Sequence, residues 1–371
     1  MRSKTAYFFL VLLIVLSSVL SPLAVYADEG EWEITPGSEA AAERGLEWLA
    51  ANQGEAGSWE SNDLGLVSLG VLAFLSAGHA PDRGKYGVNI RRGLDYVLAN
   101  AKPSGLLNIS NQDMYNHGLS VFVLTQAYGI CNDRRLGQVL DRGIKLIVDV
   151  QGENGGWDYK AKRSNRGHDL SLVVMQAKAL RGAMDIGLAI PPATIELAIR
   201  SVREHYKPLG RPDGKKYGEH PLADRPGAFT YDGNKVTTAM AACGAVCLQE
   251  FGKYDDFRIH RSMDEVIKDI DKKMQVRNGA IPFNDAYTMY YVAQGLYQVG
   301  GHRWKSHYPK VRDAIVKTQR KSDKAADNGC WEGGRVGGKP GRLFGTAVAV
   351  FALNIPNRYL PILQRGESKA K

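Results

Sequence analysis

A short motif of arginine, glycine and an apolar residue recurs at a nearly constant interval along this chain. Its first three copies begin at Arg44, Arg92 and Arg142, with offsets of 48 and 50 residues. Each copy is followed, nine, thirteen and fifteen residues after its arginine, by the triplets Gln53, Gly57, Trp59; Ala101, Gly105, Leu107; and Gln151, Gly155, Trp157. A fixed period of this length is typical of repeat proteins, in which one unit cannot bury its apolar face alone. The sequence therefore predicts stacked copies of one supersecondary unit.

Later copies of the unit are looser. Residues 275–281 keep the glutamine, glycine and apolar spacing, and residues 312–331 keep the same order around an insertion. Between them, a unit that begins at residues 193–206 carries a much longer connection, residues 203–236. We therefore expect six units, of which the fourth and the sixth carry insertions.

Each unit is predicted to contain two helices. In the second unit, Ile90, Leu94, Val97 and Leu98 form one apolar face of the first helix. The second helix is apolar on nearly all sides, as in residues 64–75 and 239–248, and must therefore be buried all round. Such alternation favours an all-α fold, a single α/α toroid (an α6/α6 double barrel) over residues 40–362. The second helices are expected to end at Gly78, Gly129, Gly187, Gly252 and Gly300.

The N-terminus is typical of an export signal. Arg2 and Lys4 precede an apolar run over residues 6–20, and residues 25–27 offer a small-residue cleavage site. We predict a signal peptide over residues 1–27, a linker over 28–39 and a basic tail over 363–371. The predicted location is the periplasm or the exterior, with an uncleaved N-terminal membrane anchor as the alternative. Four cysteines are too few for a disulfide scaffold, and Cys243 and Cys247 are expected in the core.

The overall charge is mildly basic. The formal net charge is +9 and the pI is near 9.2. This balance favours an anionic ligand, but the basic residues are not concentrated enough to indicate nucleic-acid binding. A membrane is expected as a partner only if the signal segment stays uncleaved.

Residues 44–59 resemble the glutamine–tryptophan (QW) motif of terpenoid cyclases and the prenyltransferase/squalene oxidase repeat. The similarity extends over about residues 40–360, and residues 355–362 resemble the ending of exported repeat proteins of that group without established activity. The resemblance implies an α/α toroid in which the motif is structural and joins neighbouring hairpins.

The catalytic residues of the family are missing. Where triterpene cyclases carry an Asp-x-Asp-Asp cluster, residues 232–239 supply Lys235 in place of an acid. The Asp-x-Cys pair of prenyltransferases does not occur, and Gly345 stands where the resemblance places their zinc histidine. Cys243 and Gly244 continue with Ala-Val, so the thioester of complement-type toroids is absent as well. No metal site is therefore expected, apart from a calcium ion if the protein is a lyase.

The polar residues just before each second helix form the candidate site. In a toroid these helix starts surround one mouth of the central cavity, and their unpaired N–H groups favour negative or strongly polar ligands. The predicted ligand-binding residues are Asp63, Tyr115, His117, Arg166, His168, Asp232, Lys235, Tyr287 and Arg342. The candidates for catalysis are His117, His168, Asp169, Lys235 and Asp285. The aspartates equally suit a purely structural role as helix N-caps.

The long connection from Arg203 to Val236 leaves two interpretations open. Its aromatic and basic side chains could cover the mouth as a lid, or the segment could decorate the outer edge of the ring. The lid candidates are Tyr217, His220, Arg225, Phe229 and Tyr231.

Three functions remain open at this stage, and the sequence does not decide whether the protein is an enzyme. The first is an exported toroid that binds a polar or anionic ligand, or a protein partner, at its mouth. The second is a lyase acting on acidic polysaccharides, with calcium on carboxylates such as Asp63 and Asp285 and a base among Arg166, His168 and Lys235. The third is a terpenoid-processing enzyme with atypical catalytic residues.

Overall fold

The computed structural model describes residues 32–110, 113–164, 169–276, 285–334 and 341–364. Twelve α-helices lie in this part of the chain and alternate between an outer and an inner position. The outer helices are α1 (Pro36–Ala51), α3 (Gly87–Ala99), α5 (Arg134–Asp149), α7 (Pro192–Glu204), α9 (Phe257–Val276) and α11 (Gly301–Thr318). The inner helices are α2 (Leu64–Ser76), α4 (Met114–Tyr128), α6 (Leu170–Asp185), α8 (Thr238–Glu250), α10 (Ala286–Val299) and α12 (Arg342–Asn354).

The inner helices form a closed ring. Each packs against the next one along the chain, and α12 packs against α2. The outer helices surround this ring, and α1 packs against α12, so the first unit lies directly on the last. The predicted all-α toroid is therefore confirmed.

The sequence patterns explain which helices lie inside. In α2 every residue except Leu66 is buried, as expected for a helix that is apolar all round. In α5 the buried residues form a single stripe: Leu136, Val139, Leu140, Gly143, Ile144 and Ile147. Burial of each large aliphatic side chain contributes roughly 1.5–3 kcal/mol, so the two patterns favour different layers. Cys243 and Cys247 are fully buried in α8, as predicted.

Three glutamines of the motif each tie one unit to its neighbour. The Gln53 side-chain amide donates to the carbonyl oxygen of Asn89 at the start of α3, 2.7 Å away. Gln151 donates in the same way to Thr194 in α7, at 3.0 Å. The interaction recurs where the ring closes, since Gln319 donates to Ala41 in α1.

The repeated tryptophans and glycines fix the connection inside each unit. The indole N–H groups of Trp59 and Trp157 donate to the carbonyl oxygens of Leu49 and Ile147, each at 2.8 Å. Gly155 has a φ of 87°, and a Cβ there would lie 1.9 Å from the carbonyl oxygen of Leu197. Only glycine fits a left-handed position against a neighbouring backbone, which explains its recurrence in the motif.

The ends of the inner helices follow the prediction in four of five cases. Gly78, Gly187, Gly252 and Gly300 have positive φ, as glycines at helix C-termini usually do. The helix α4 also ends at Gly129, its C-cap, but this glycine has a φ of −71° and is right-handed, so only the left-handed conformation expected there was wrong.

The insertion over residues 203–236 lies mainly on the outer edge of the ring. Its ends pair as a short antiparallel hairpin, β1 (Tyr206–Pro208) with β2 (Gly227–Phe229). The intervening segment packs on the first turns of α9, where the buried guanidinium of Arg261 forms an ion pair with Asp213 at 2.9 Å. Because α8 and α9 are antiparallel neighbours, these turns lie at the end of the ring opposite the start of α8.

This placement shows that four of the five lid candidates do not cover the cavity. Tyr217 donates to Asp264 on α9, His220 stacks on Phe257 and Phe229 is fully buried. Arg225 is exposed beside Asp224, with its Nε 3.9 Å from the carboxylate. Only Tyr231, at the end of the insertion, extends to the cavity described below.

None of the helices within the described ranges combines the length and the apolar character that crossing a membrane requires.

Candidate ligand-binding site

A cavity of about 830 Å³ opens where the N-termini of the inner helices converge. Its walls come from the starts of α2, α4, α6, α8 and α10, from the preceding connections and from the last turn of the outer helix α9. The lining residues are Asp63, Asp113, Tyr115, Tyr159, Ser171, Tyr231, Thr237, Thr238, Ala239, Met240, Lys273, Asp285, Tyr287 and Thr288. The lining is thus rich in carboxylates, hydroxyls and aromatic rings.

Three aspartates of the lining cap inner helices, and we call them the capping carboxylates: Asp63, Asp113 and Asp285. One oxygen of Asp63 accepts from the backbone N–H of Leu66 at 3.0 Å. Asp113 accepts from the N–H of Tyr115 at 2.8 Å, and Asp285 from that of Thr288 at 3.2 Å. Such caps contribute about 1 kcal/mol each and fix the carboxylates at the edge of the cavity. The same three aspartates therefore cap helices and line the cavity.

A fourth carboxylate, Asp169, lies behind one wall of the cavity and accepts hydrogen bonds from two residues that line it. Asp169 caps α6 through the N–H of Leu172 and is only 3% exposed. The Ser171 hydroxyl donates to its Oδ1 at 2.5 Å, and the Tyr231 hydroxyl donates to its Oδ2 at 2.8 Å. The hydroxyl of Tyr159 lies 3.1 Å from that of Tyr231. We call these four residues the Asp169 network.

Tyr159 and Tyr231 occupy equivalent places in successive units. The carbonyl oxygen of Tyr159 accepts from the N–H of Met114, the first residue of α4, at 2.8 Å. The carbonyl oxygen of Tyr231 accepts from Leu170, the first residue of α6, at 3.2 Å. Each connection is therefore fastened to the inner helix of the preceding unit, which places the two tyrosines side by side.

The deeper tyrosines keep their protons at neutral pH. Burial raises the pKa of Tyr115 and of Tyr287 well above the usual tyrosine range. The Tyr287 ring packs edge-on against Tyr291, with ring centroids 5.1 Å apart. These side chains present neutral aromatic and hydroxyl surfaces to the cavity.

Lys273 is the single cationic residue among the described lining residues. Its ammonium group forms an ion pair with Asp269 at 2.7 Å, one turn earlier on α9. Burial alone would raise the pKa of Asp269, but hydrogen bonds from Lys273 and Thr238 outweigh it and hold this pKa below its usual value. The positive charge of Lys273 is thus already balanced.

The charge of the cavity differs from that of the whole chain. Three capping carboxylates line it, and its one described cation is paired with a further acid. The basic composition predicted an anionic ligand, but these carboxylates would repel one. The described lining of the cavity is therefore acidic, although the chain as a whole is basic.

The predicted site residues divide between the cavity and other places. Asp63, Tyr115, Tyr287 and Asp285 line the cavity, and Asp169 lies just beneath its wall. Asp232 and Lys235 are exposed on the connection before α8 and are not among the lining residues. Arg166 and His168 lie outside the described residues.

Arg342 is occupied by acidic partners. Its guanidinium forms ion pairs with Asp327 and, at 3.1 Å, with Glu332, both on the connection before α12. Arg342 is not among the residues that line the cavity. These two ion pairs explain a cation at a helix N-terminus without a bound anion.

His117 holds the backbone together and does not contact the cavity. It is fully buried, its Nδ1 accepts from the N–H of Leu107, and its Nε2 donates to the carbonyl oxygen of Gly143, each at 3.1 Å. Burial lowers its pKa to about 4. The prediction of a catalytic role for His117 is therefore replaced by a structural one.

Several lining residues were missed from the sequence. Asp113 was overlooked because α4 was expected to start later, although it stands 50 residues after Asp63, close to the repeat period. Tyr159 follows Trp157 by two residues, but its equivalence to Tyr231 is hidden by the insertion. Lys273 lies on an outer helix, whereas the candidate site was predicted from the residues that precede the inner helices.

Within the described ranges, no group of three or more histidine, cysteine, aspartate or glutamate side chains is arranged to hold a metal ion.

Comparisons with known proteins show what this architecture is similar to. No family model matches the chain, and no curated protein matches it. Among solved structures, an α-amylase from Clostridium perfringens superposes with a TM-score of 0.57 at 13% identity, covering 86% of this chain and 99% of the other. The type II terpene cyclase MstE from Scytonema gives 0.54 at 13% identity, covering 88% and 100%.

An inactive variant of an α-1,6-mannanase from Salegentibacter sp. HEL1_6, in complex with α-1,6-mannotetrose, gives a TM-score of 0.55 at 12% identity. The match covers 89% of this chain and 100% of the mannanase. At identities this low, such likenesses establish the fold alone. The chain is an α/α toroid protein.

Proposed function

We propose that this protein is exported and binds a neutral oligosaccharide in the cavity at the N-termini of its inner helices. The observation that carries the proposal is the lining itself, which combines three capping carboxylates with tyrosine, serine and threonine side chains. Sugar hydroxyls donate to carboxylates and accept from hydroxyls, while aromatic rings cover the apolar faces of sugar rings. The volume of about 830 Å³ is within the usual range of roughly 300–1,000 Å³ for small-molecule sites.

The fold comparisons support this choice. Two of the similar toroids are named as an amylase and a mannanase, and one of these was solved with a neutral mannose oligosaccharide. We also infer that the repeat belongs to the prenyltransferase/squalene oxidase type and that residues 1–27 direct export, where such glycans are encountered.

The other two functions fit the cavity less well. An acidic polysaccharide would bring carboxylates against Asp63, Asp113 and Asp285, with Lys273 already paired to Asp269. A terpenoid would place hydrocarbon against charged groups whose desolvation is costly. We assign no catalytic step, and the proposal concerns binding.

Calorimetric titration of the purified protein with maltotriose and with α-1,6-mannotriose tests the proposal. We expect one of them to bind with a millimolar or lower Kd and to raise the melting temperature accordingly. Asp63→Asn and Asp285→Asn should weaken this binding about tenfold, because asparagine keeps the cap but loses the charged acceptor.

Asp141→Asn is the matched control, since Asp141 is exposed on the outer helix α5. This variant should bind as the unaltered protein does. The proposal is wrong if neither sugar binds, or if the Asp63 and Asp285 variants bind as well as the Asp141 variant.

A further inference from the structure

The Asp169 network has a defined hydrogen-bond direction. The carboxylate of Asp169 can only accept hydrogen bonds. The Ser171 and Tyr231 hydroxyls each have one proton, and both donate it to this carboxylate. The oxygen of Tyr231 can then only accept in its contact with Tyr159, which makes Tyr159 the donor across their 3.1 Å separation. Every proton of the network therefore points toward Asp169.

The same direction leaves lone pairs on the side of the cavity. The Tyr159 hydroxyl donates its hydrogen bond to Tyr231 or to Ser171, whose Oγ lies 3.4 Å away. Tyr159 and Tyr231 are about 40% and 41% exposed and line the cavity, so their remaining capacity is available to a ligand. Burial raises the pKa of both hydroxyls, so both stay protonated and the direction persists at neutral pH.

Resting on the proposed glycan function, we propose that Tyr159 accepts a hydrogen bond from a sugar hydroxyl, and that Asp169 and Tyr231 are positioning residues that make it an acceptor. This side of the cavity thereby selects a ligand that donates a hydrogen bond to the Tyr159 oxygen. A ligand that presents a carboxylate there finds only lone pairs and is rejected.

The substitution Asp169→Asn should reverse the network. Asparagine is as good an N-cap as aspartate, and its Oδ1 can still accept from Leu172 and Ser171. Its Nδ2, however, donates to Tyr231, which then donates to Tyr159. The proton of Tyr159 can no longer go to Tyr231 and turns to the cavity, because the Ser171 oxygen is a distant acceptor at 3.4 Å. One isosteric change thus converts an accepting wall into a donating one.

The binding experiment compares maltotriose with the tri-uronate made by oxidising its primary alcohols. The unaltered protein should bind maltotriose at least tenfold more tightly than the tri-uronate. In Asp169→Asn this ratio should fall at least tenfold. Tyr159→Phe should weaken maltotriose binding about threefold to tenfold, the usual worth of one hydrogen bond, and should abolish the effect of Asp169→Asn.

A second measurement reads the network without any ligand. Neutron diffraction of deuterated crystals should place the deuteron between the two tyrosines on Tyr159 in the unaltered protein and on Tyr231 in Asp169→Asn. A deuteron on Tyr231 in the unaltered protein, or an unchanged sugar ratio in Asp169→Asn, would overturn the inference while leaving glycan binding intact. Failure of the unaltered protein to bind either maltotriose or α-1,6-mannotriose would instead refute the proposed function, and the selection with it.

Discussion

The side-chain amide of Gln319 donates to the carbonyl oxygen of Ala41 across 2.8 Å and joins the sixth unit of the ring to the first. The same amide donates to Gly329, and its oxygen accepts from the guanidinium of Arg44. Since Gln319 is buried, these bonds are shielded from water.

Replacing Gln319 by alanine should therefore lower the free energy of unfolding by about 2–4 kcal/mol, because two buried carbonyl groups lose their donor. Chemical denaturation monitored by circular dichroism measures this loss. The exposed Gln138 on α5 provides the control, and Gln138→Ala should change the free energy by no more than about 0.5 kcal/mol. Equal effects at the two positions would contradict the closing role of Gln319.

The motif glycine Gly155 should tolerate alanine less well than Gly54, a glycine outside the motif. Gly155→Ala places a Cβ 1.9 Å from the carbonyl oxygen of Leu197, whereas a Cβ at Gly54 meets nothing within 4 Å. Both glycines have positive φ, so both substitutions carry the backbone strain of about 1 kcal/mol. Gly155→Ala should lower the melting temperature by several degrees more than Gly54→Ala. Similar melting temperatures would show that the close approach is readily relieved.

Acid should destabilise the fold through His117. Its folded pKa of about 4 lies below the ordinary value of 6.5, so the unfolded chain binds the proton more readily. The contribution of His117 is fully present above pH 6.5 and is lost as the pH falls toward 4, by about 2 kcal/mol between pH 7 and pH 5. His117→Gln should flatten the dependence of unfolding free energy on pH in this window. An unaltered slope would refute the assignment.

Removing one partner of the buried Lys178–Glu250 ion pair should destabilise the protein. The Lys178 ammonium, fully buried, lies 2.8 Å from Glu250 and 2.5 Å from the amide oxygen of Gln294. Lys178→Met leaves Glu250 buried without its counter-ion and should cost about 3–5 kcal/mol. The double variant Lys178→Met/Glu250→Gln should recover more than half of this loss. A double variant as unstable as the single one would show that packing, not charge, holds the site.

The fold could be predicted because its cause is local and repeated. The positions of Gln53 and Gln151 in the motif already imply one contact made again in each unit, and the apolar second helices imply burial on all sides. The site depends on detail that the repeat does not contain. His117 and Asp169 both lie at the starts of inner helices, yet only the contacts of each side chain show that Asp169 supports the cavity wall and His117 does not.

The charge of the cavity lining likewise could not be predicted from the net charge of the chain. The +9 balance of the chain is a sum over the whole surface, whereas the cavity receives the N-caps, and aspartate is preferred as an N-cap whatever the net charge is. Tyr231 was named only as one of five lid candidates, because the insertion hides its equivalence to Tyr159. The net charge of the chain therefore does not predict the charge of the described cavity lining.

The closure of the ring also bears on how the molecule comes apart. In an open solenoid the terminal repeats have one neighbour each, so they fray first and unfolding spreads inward. Here the first outer helix lies on the last inner helix, and the bond at this junction is the one used inside the ring. No unit is terminal, so partial opening must break two interfaces at once. Unfolding should thus proceed in a single cooperative step, and a chain circularly permuted at any unit boundary should close into the same ring.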